Sequence, residues 1–124
     1  GGRVVKLPPS LLAFLAWCAI RRKRGEPIRL RKGDAENAAE FLHCFKKVRG
    51  SSAAAEYEDT ERALRNGIDA EYFGEKRSRL KQALVRTLGS KDAAHPYCLV
   101  RTGRRGESCY QLALQPEQIK VVEN

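Results

Sequence analysis

A mainly helical domain with a small antiparallel β-sheet is what this sequence predicts, and three stretches predict it. The first is the apolar run Leu11–Ile20, closed by Arg21-Arg22-Lys23-Arg24. The second is Ala70–Leu88, where Phe73, Leu80, Leu84 and Leu88 fall in one stripe at helical spacing with basic residues around them. The third is a pair of β-rich arms, Tyr97–Thr102 and Ser108–Leu114, joined through Gly103-Arg104-Arg105-Gly106. A basic helix followed by a ribbon with an arginine-bearing turn reads as a winged helix-turn-helix. That architecture lays one helix in the major groove of DNA and a loop against the neighbouring backbone.

The remaining elements fall into place in chain order. Pro8-Pro9-Ser10 opens the first helix, with Ser10 as the expected cap. Leu11, Leu12, Phe14, Leu15, Trp17, Cys18 and Ile20 are its expected buried residues. Arg21–Arg24 place cations on its unpaired carbonyls, and Gly25 stops it. Pro27-Ile28-Arg29-Leu30-Arg31 alternates apolar with basic and predicts a short strand. Asp34 is the expected cap of a second helix to about Val48, with Phe41, Leu42 and Phe45 inward. A short acidic helix is expected from about Tyr57 to Asn66, with Ala63 and Leu64 inward and Asn66-Gly67 as its left-handed end. Asp69 caps the long helix that follows, about 70–88, and Gly89 ends it. Ser90–His95 reads as a polar loop, and Ile119-Lys120-Val121-Val122 as a possible last strand.

Charge narrows the class of partner. The 124 residues carry a net charge of +9, distributed in blocks. Residues 1–50 hold 12 Lys/Arg against 4 Asp/Glu, residues 51–75 hold 2 against 7, and residues 76–105 hold 9 against 1. The last basic block contains the long helix and the ribbon, so an anionic partner is expected there. No stretch of about 18 apolar residues exists to cross a bilayer. Cys18, Cys44, Cys98 and Cys109 form no CxxC pair and fit buried free thiols of a reducing, cytoplasmic setting. Gly1-Gly2 reads as the remnant of a cut and residues 1–9 as linker, leaving residues 10–124 as one winged-helix domain of a longer protein. The absence of methionine agrees with that expectation.

The chemistry expected of such a domain is recognition. On the outer side of the long helix, Arg79 and Arg86 offer bidentate forks, Gln82 matches adenine, and Ser78 serves as donor or acceptor. Arg101, Arg104 and Arg105, in a wing spanning 101–106, are expected against phosphates. Glu71 and Glu75 share the outer side of that helix and oppose this reading. A winged helix that packs on another domain or a second copy, with no DNA binding of its own, is therefore the alternative. Arg21–Arg24 also read as a second basic patch, but a helix C-terminus explains them more simply. No phosphate loop, nucleophile elbow or metal-ligand spacing is present, so neither catalysis, a cofactor nor a metal is expected.

Several segments resemble the C-terminal domain of certain CRISPR-associated proteins. They are Leu11–Trp17 with its basic run, Phe41-Leu42, Tyr72-Phe73-Gly74-Glu75-Lys76-Arg77-Ser78-Arg79-Leu80, Leu88-Gly89 and Pro96-Tyr97. In that family a CARF domain of ring-nuclease type precedes a winged helix. The resemblance implies an upstream sensing domain that carries any activity, a dimer, and a regulatory role in antiviral defence for this module. It transfers no catalytic residue. The pattern is also similar to the effector domain of OmpR-type response regulators, although the acidic helix is an insertion and the wing run Leu99-Val100-Arg101-Thr102-Gly103 differs from theirs. The expected partner is nucleic acid, DNA ahead of RNA.

Overall fold

The computed structural model describes residues 7–30, 35–48, 54–65, 67–102 and 109–115. Among these residues, five α-helices and three strands follow in the order α1 (Pro9–Arg24), β1 (Ile28–Arg29), α2 (Glu36–Val48), α3 (Ala54–Ala63), α4 (Ala70–Leu88), α5 (Lys91–Ala94), β2 (Leu99–Thr102) and β3 (Cys109–Leu112). The sheet order is β1-β3-β2 and both pairings are antiparallel. Ile28 faces Tyr110, while Leu99 and Arg101 face Leu112 and Tyr110. The earliest strand thus closes on the last arm of the ribbon, which is the winged-helix arrangement.

Aromatic side chains bind the helices into one core. Phe14, Trp17, Phe41, Phe45 and Phe73 are all fully buried. Phe14 meets Trp17, Phe41 and Phe73 edge-on, at 5.9, 6.2 and 5.4 Å between ring centres. Edge-to-face contact aligns the positive rim of one ring with the negative face of the next. Asn37, buried on α2, donates from Nδ2 to the Arg29 carbonyl at 2.7 Å and ties that helix to β1.

The basic end of α1 is a set of struts. Arg21 donates to the Pro27 carbonyl at 2.9 Å, to Glu26 at 3.0 Å and to Glu40 at 3.4 Å. Arg22 Nε reaches the Leu114 carbonyl at 3.0 Å, across 92 positions of chain. Arg24 pairs with Glu40 at 3.7 Å, and Trp17 Nε1 donates to the same carboxylate at 3.1 Å. Gly25, at φ 74, takes the left-handed turn that ends the helix.

Several local expectations are corrected. Ser10 is not the cap of α1: Pro8 holds that position, Pro9 is the first helical residue, and Ser10 lies inside the first turn, buried, accepting from Lys76 Nζ at 3.3 Å. Leu12 is 38% exposed, and Leu15 and Ile20 are half-buried, because α1 is apolar around most of its circumference and only one side meets the core. The acidic helix starts three residues earlier than expected, and Ala63 at its end is exposed while Leu64 turns inward. Ser90–His95 is no loop. Ser90 Oγ accepts from Ala93 N at 3.1 Å and caps the four-residue α5, which runs into a 3-10 turn over His95–Tyr97. β1 is shorter than the alternation suggested. Asp34, Asn66 and the Ile119–Val122 segment lie outside the described residues. No helix of the described residues is long and apolar enough to cross a membrane.

The start of α4 rests on Asp69, whose Oδ1 accepts from Tyr72 N at 2.7 Å. Asp69→Ala is expected to cost about 1 kcal/mol in urea unfolding, with Asp69→Asn or Asp69→Ser recovering most of it.

Candidate nucleic-acid interface

The long helix owes its placement to its buried stripe. Phe73, Leu80 and Leu84 are each 1% exposed and point into the core. At about 100° per residue, this leaves two flanks and an outer side. One flank holds Tyr72 and Lys76 and faces the other helices. Tyr72 lies 6.4 Å from Phe41, and Lys76 donates to Ser10 while sitting 5.5 Å over the Tyr72 ring. Burial pushes the Tyr72 phenol up to about 12, with Glu75 and Glu56 adding to the effect, and burial also lowers Lys76.

The other flank faces the sheet, and Arg77 is its fixed point. Its guanidinium carbon lies 4.9 Å over the Tyr110 ring, and Nη2 donates to the Leu99 carbonyl at 3.1 Å. Arginine suits this position because its planar fork both stacks and donates in one plane. Tyr110 in turn lies 4.9 Å from Phe73. The helix is therefore fastened to both β2 and β3, and the base of the ribbon adjoins its Arg77 flank.

The outer side carries the residues singled out from sequence. Ser78, Arg79, Gln82 and Arg86 are all exposed, as are Glu71 and Glu75. They do not act as one group. Arg79 Nη2 pairs with Glu75 Oε1 at 2.9 Å, so one of the expected base-reading arginines already faces a carboxylate. Ser78 lies toward the sheet, Gln82 at the middle of the outer side, and Arg86 and Arg79 beyond it toward the Tyr72 flank. Arg101 is exposed on β2 opposite Tyr110, on the strand face that looks toward α4. Arg104 and Arg105 lie outside the described residues.

Between α4, α5 and β2 runs a cleft of about 520 Å³. Leu80, Val85 and Leu99 contribute to its floor, while Ser78, Lys81 and Lys91 stand on its walls. Lys81, Lys91 and His95 were not among the residues expected from sequence. Lys81 had a legible signal, since it follows Arg77 by four positions and shares its flank. Lys91 and His95 depended on α5, and the only hint of that helix was Ser90 followed by Asp92, a cap and a first-turn acid.

The cysteines are free thiols: Cys18, Cys44 and Cys109 buried, Cys98 half-buried. Burial raises Cys18, Cys44 and Cys98 above the ordinary thiol range. At Cys98 this outweighs the opposing pull of Lys81 and Arg77, and its Sγ–H donates to the Ala94 carbonyl at 3.3 Å. No group of three metal-ligating side chains comes together among the described residues.

No family model, curated protein or solved structure matches the chain.

Two outcomes follow from this geometry. Arg77→Lys keeps the charge yet loses the stacked fork, and is expected to lower unfolding free energy by about 1–2 kcal/mol. A raised thiol keeps its proton to higher pH, so a disulfide reagent should modify the native protein slowly at pH 7 and faster as pH rises, with Cys98 reacting before Cys18 and Cys44. Rapid labelling of Cys18 in the native state would contradict that order.

Proposed function

We propose that this domain binds nucleic acid, duplex DNA before RNA, with the outer side of α4 toward the groove and the wing toward the backbone. The observation that carries the reading is the fastening of α4 to the ribbon through Arg77, Tyr110 and Phe73. It sets a helix with exposed Ser78, Gln82 and Arg86 beside a ribbon that carries the exposed Arg101. Such a pairing of helix and ribbon is the geometry by which a winged helix meets DNA. The excess of basic residues in 76–105 supplies the sequence-independent attraction. Ser78, Gln82, Arg86 and Arg79 are the base-edge candidates in this reading, with Arg101, Arg104 and Arg105 on phosphates. The domain itself performs no catalysis in this reading.

The parent we propose is a CRISPR-associated regulator with an upstream CARF-type domain. Its support is the resemblance of the Phe73–Leu80 run and of the Leu88-Gly89…Pro96-Tyr97 link. A receiver domain upstream would replace that parent with a response regulator.

One observation favours a second reading, contact with another domain or a second copy. Leu12 is the large hydrophobic residue left exposed on α1, next to the half-buried Leu15 and Ala16. Self-association of the 124-residue chain at micromolar concentration, measured by sedimentation without nucleic acid and abolished by Leu12→Ser, is the expected signature of that reading. A monomer at all concentrations removes it.

Fluorescence anisotropy on duplexes of varied sequence tests the DNA reading. Arg104→Glu with Arg105→Glu should weaken binding to every sequence and flatten its salt dependence. Gln82→Ala or Arg86→Ala should change the order of preferred sequences, by about 1–3 kcal/mol at the base contacted. Glu75→Gln frees Arg79 and should tighten binding. Unchanged affinity in all of these variants removes α4 and the wing from the interface.

A further inference from the structure

The cleft between α4, α5 and β2 has a charge pattern that the outer side of α4 lacks. Of its ionisable walls, Arg77, Lys81 and Lys91 are cationic, His95 stands beside them, and Asp92 is the one carboxylate among the lining residues. On the outer side, by contrast, Glu71 and Glu75 stand among Arg79 and Arg86, and the shortest contact is an ion pair within the helix. Among the described residues, neither Lys81 nor Lys91 has an ion-pair partner. Arg77 adds a charge that does not move, because Tyr110 and the Leu99 carbonyl hold its guanidinium in place. Lys81 and Arg77 both act electrostatically on the Cys98 thiol, so their charges converge on one part of the cleft. The floor is hydrocarbon from Leu80, Val85 and Leu99, which weakens local screening and strengthens the attraction for an anion.

We propose that this cleft seats a phosphodiester of the nucleic-acid backbone, held between Lys81 and Lys91 beside the fixed guanidinium of Arg77. The proposal rests on the reading of the chain as a nucleic-acid-binding domain and adds a backbone site that neither the outer side of α4 nor the wing contains. Backbone contacts of this kind set register without reading sequence. The cleft lies between the helix and the ribbon, so a phosphate there would fix how deeply α4 enters the groove.

The test has two arms on the full 124-residue chain. In the first, inorganic phosphate is titrated against chloride at matched ionic strength and amide shifts are followed by NMR. Shifts are expected at Ser78, Lys81, Lys91 and Cys98–Val100, and they should vanish in Lys81→Gln/Lys91→Gln. No shifts, or shifts spread evenly over the basic surface, overturn the site. In the second, duplex affinity is measured against salt. The double variant should bind about tenfold more weakly at 0.1 M salt, with a log–log slope smaller by about 1, for every sequence tested. Thermal unfolding of the double variant should match the parent, since both lysines are exposed. If the parent binds duplex and the double variant keeps its slope, the cleft is not a backbone site while the functional reading stands. If the parent binds no duplex, the functional reading falls and the phosphodiester falls with it as occupant, even where inorganic phosphate binds.

Discussion

Phe73 is the side chain on which the helical layer and the sheet both close. Its ring centre lies 5.4 Å from Phe14 on α1, 6.4 Å from Trp17 and 4.9 Å from Tyr110 on β3. Each aromatic contact adds about 0.5–1.5 kcal/mol beyond the area it buries. The geometric consequence matters more than the sum. Phe73 sits in the first turn of α4, right after the Asp69 cap, so it sets the rotation of a 19-residue helix about its axis. Leu80 and Leu84 continue the same stripe about two and three turns further on. With that side fixed inward, the sheet-facing flank and the outer side have no freedom to exchange. What the domain offers a partner is decided by packing at one ring.

Arginine then does in this protein what backbone pairing does elsewhere. Arg21 reaches the Pro27 carbonyl, Arg22 the Leu114 carbonyl and Arg77 the Leu99 carbonyl. Each bond crosses from a helix to the sheet or to the chain entering or leaving it. A charge-assisted donor on a long stem satisfies such a carbonyl from a distance that no backbone amide covers. The net charge of +9 therefore mixes two populations. Some cations are structural struts, engaged and partly desolvated. Others, including Lys81, Lys91 and Arg86, remain exposed on α4 and α5. The second population is spread over α1, β1, α2 and α3 as well, and of it Lys81 and Lys91 line the cleft beside the sheet-facing flank of α4.

The sequence made some of this legible and hid the rest for physical reasons. The bounds of α4 follow from local chemistry, an aspartate cap at one end and a glycine at φ 88 at the other, and they match the residues expected. The order helix, strand, helices, ribbon follows from periodicity, and with it the fold. Pairing of β1 with β3 does not, because a two-residue strand has too few positions for its alternation to point to a partner. Ser10 misled because serine is a good cap wherever a helix begins, but two prolines ahead of it already supply a residue without a free amide at the first helical position. Helix α5 was invisible because four residues carry no period. The cleft was hidden for the same reason: Lys81 and Lys91 stand ten positions apart on different helices, and only the turn at Gly89 and Ser90 brings them to one wall.

The ion pair between Arg79 and Glu75 shows how the two sides of α4 differ energetically. Both partners are more than half exposed and four residues apart on one helix, so the pair contributes a few tenths of a kcal/mol at most. A phosphate or a guanine edge would displace Glu75 from Arg79 at little cost, but Glu75 would then remain nearby and repel the backbone. The outer side of α4 is thus suited to contacts that are weak, directional and selective. The Arg77 flank of α4 carries no acid of its own, though Asp92 of α5 lines the same cleft, and its arginine is already held by Tyr110 and the Leu99 carbonyl, so less side-chain entropy is lost on binding. In the proposed reading, affinity and specificity divide along one helix: the flank against the sheet holds the backbone, and the outer side, where acids stand among bases, selects the sequence.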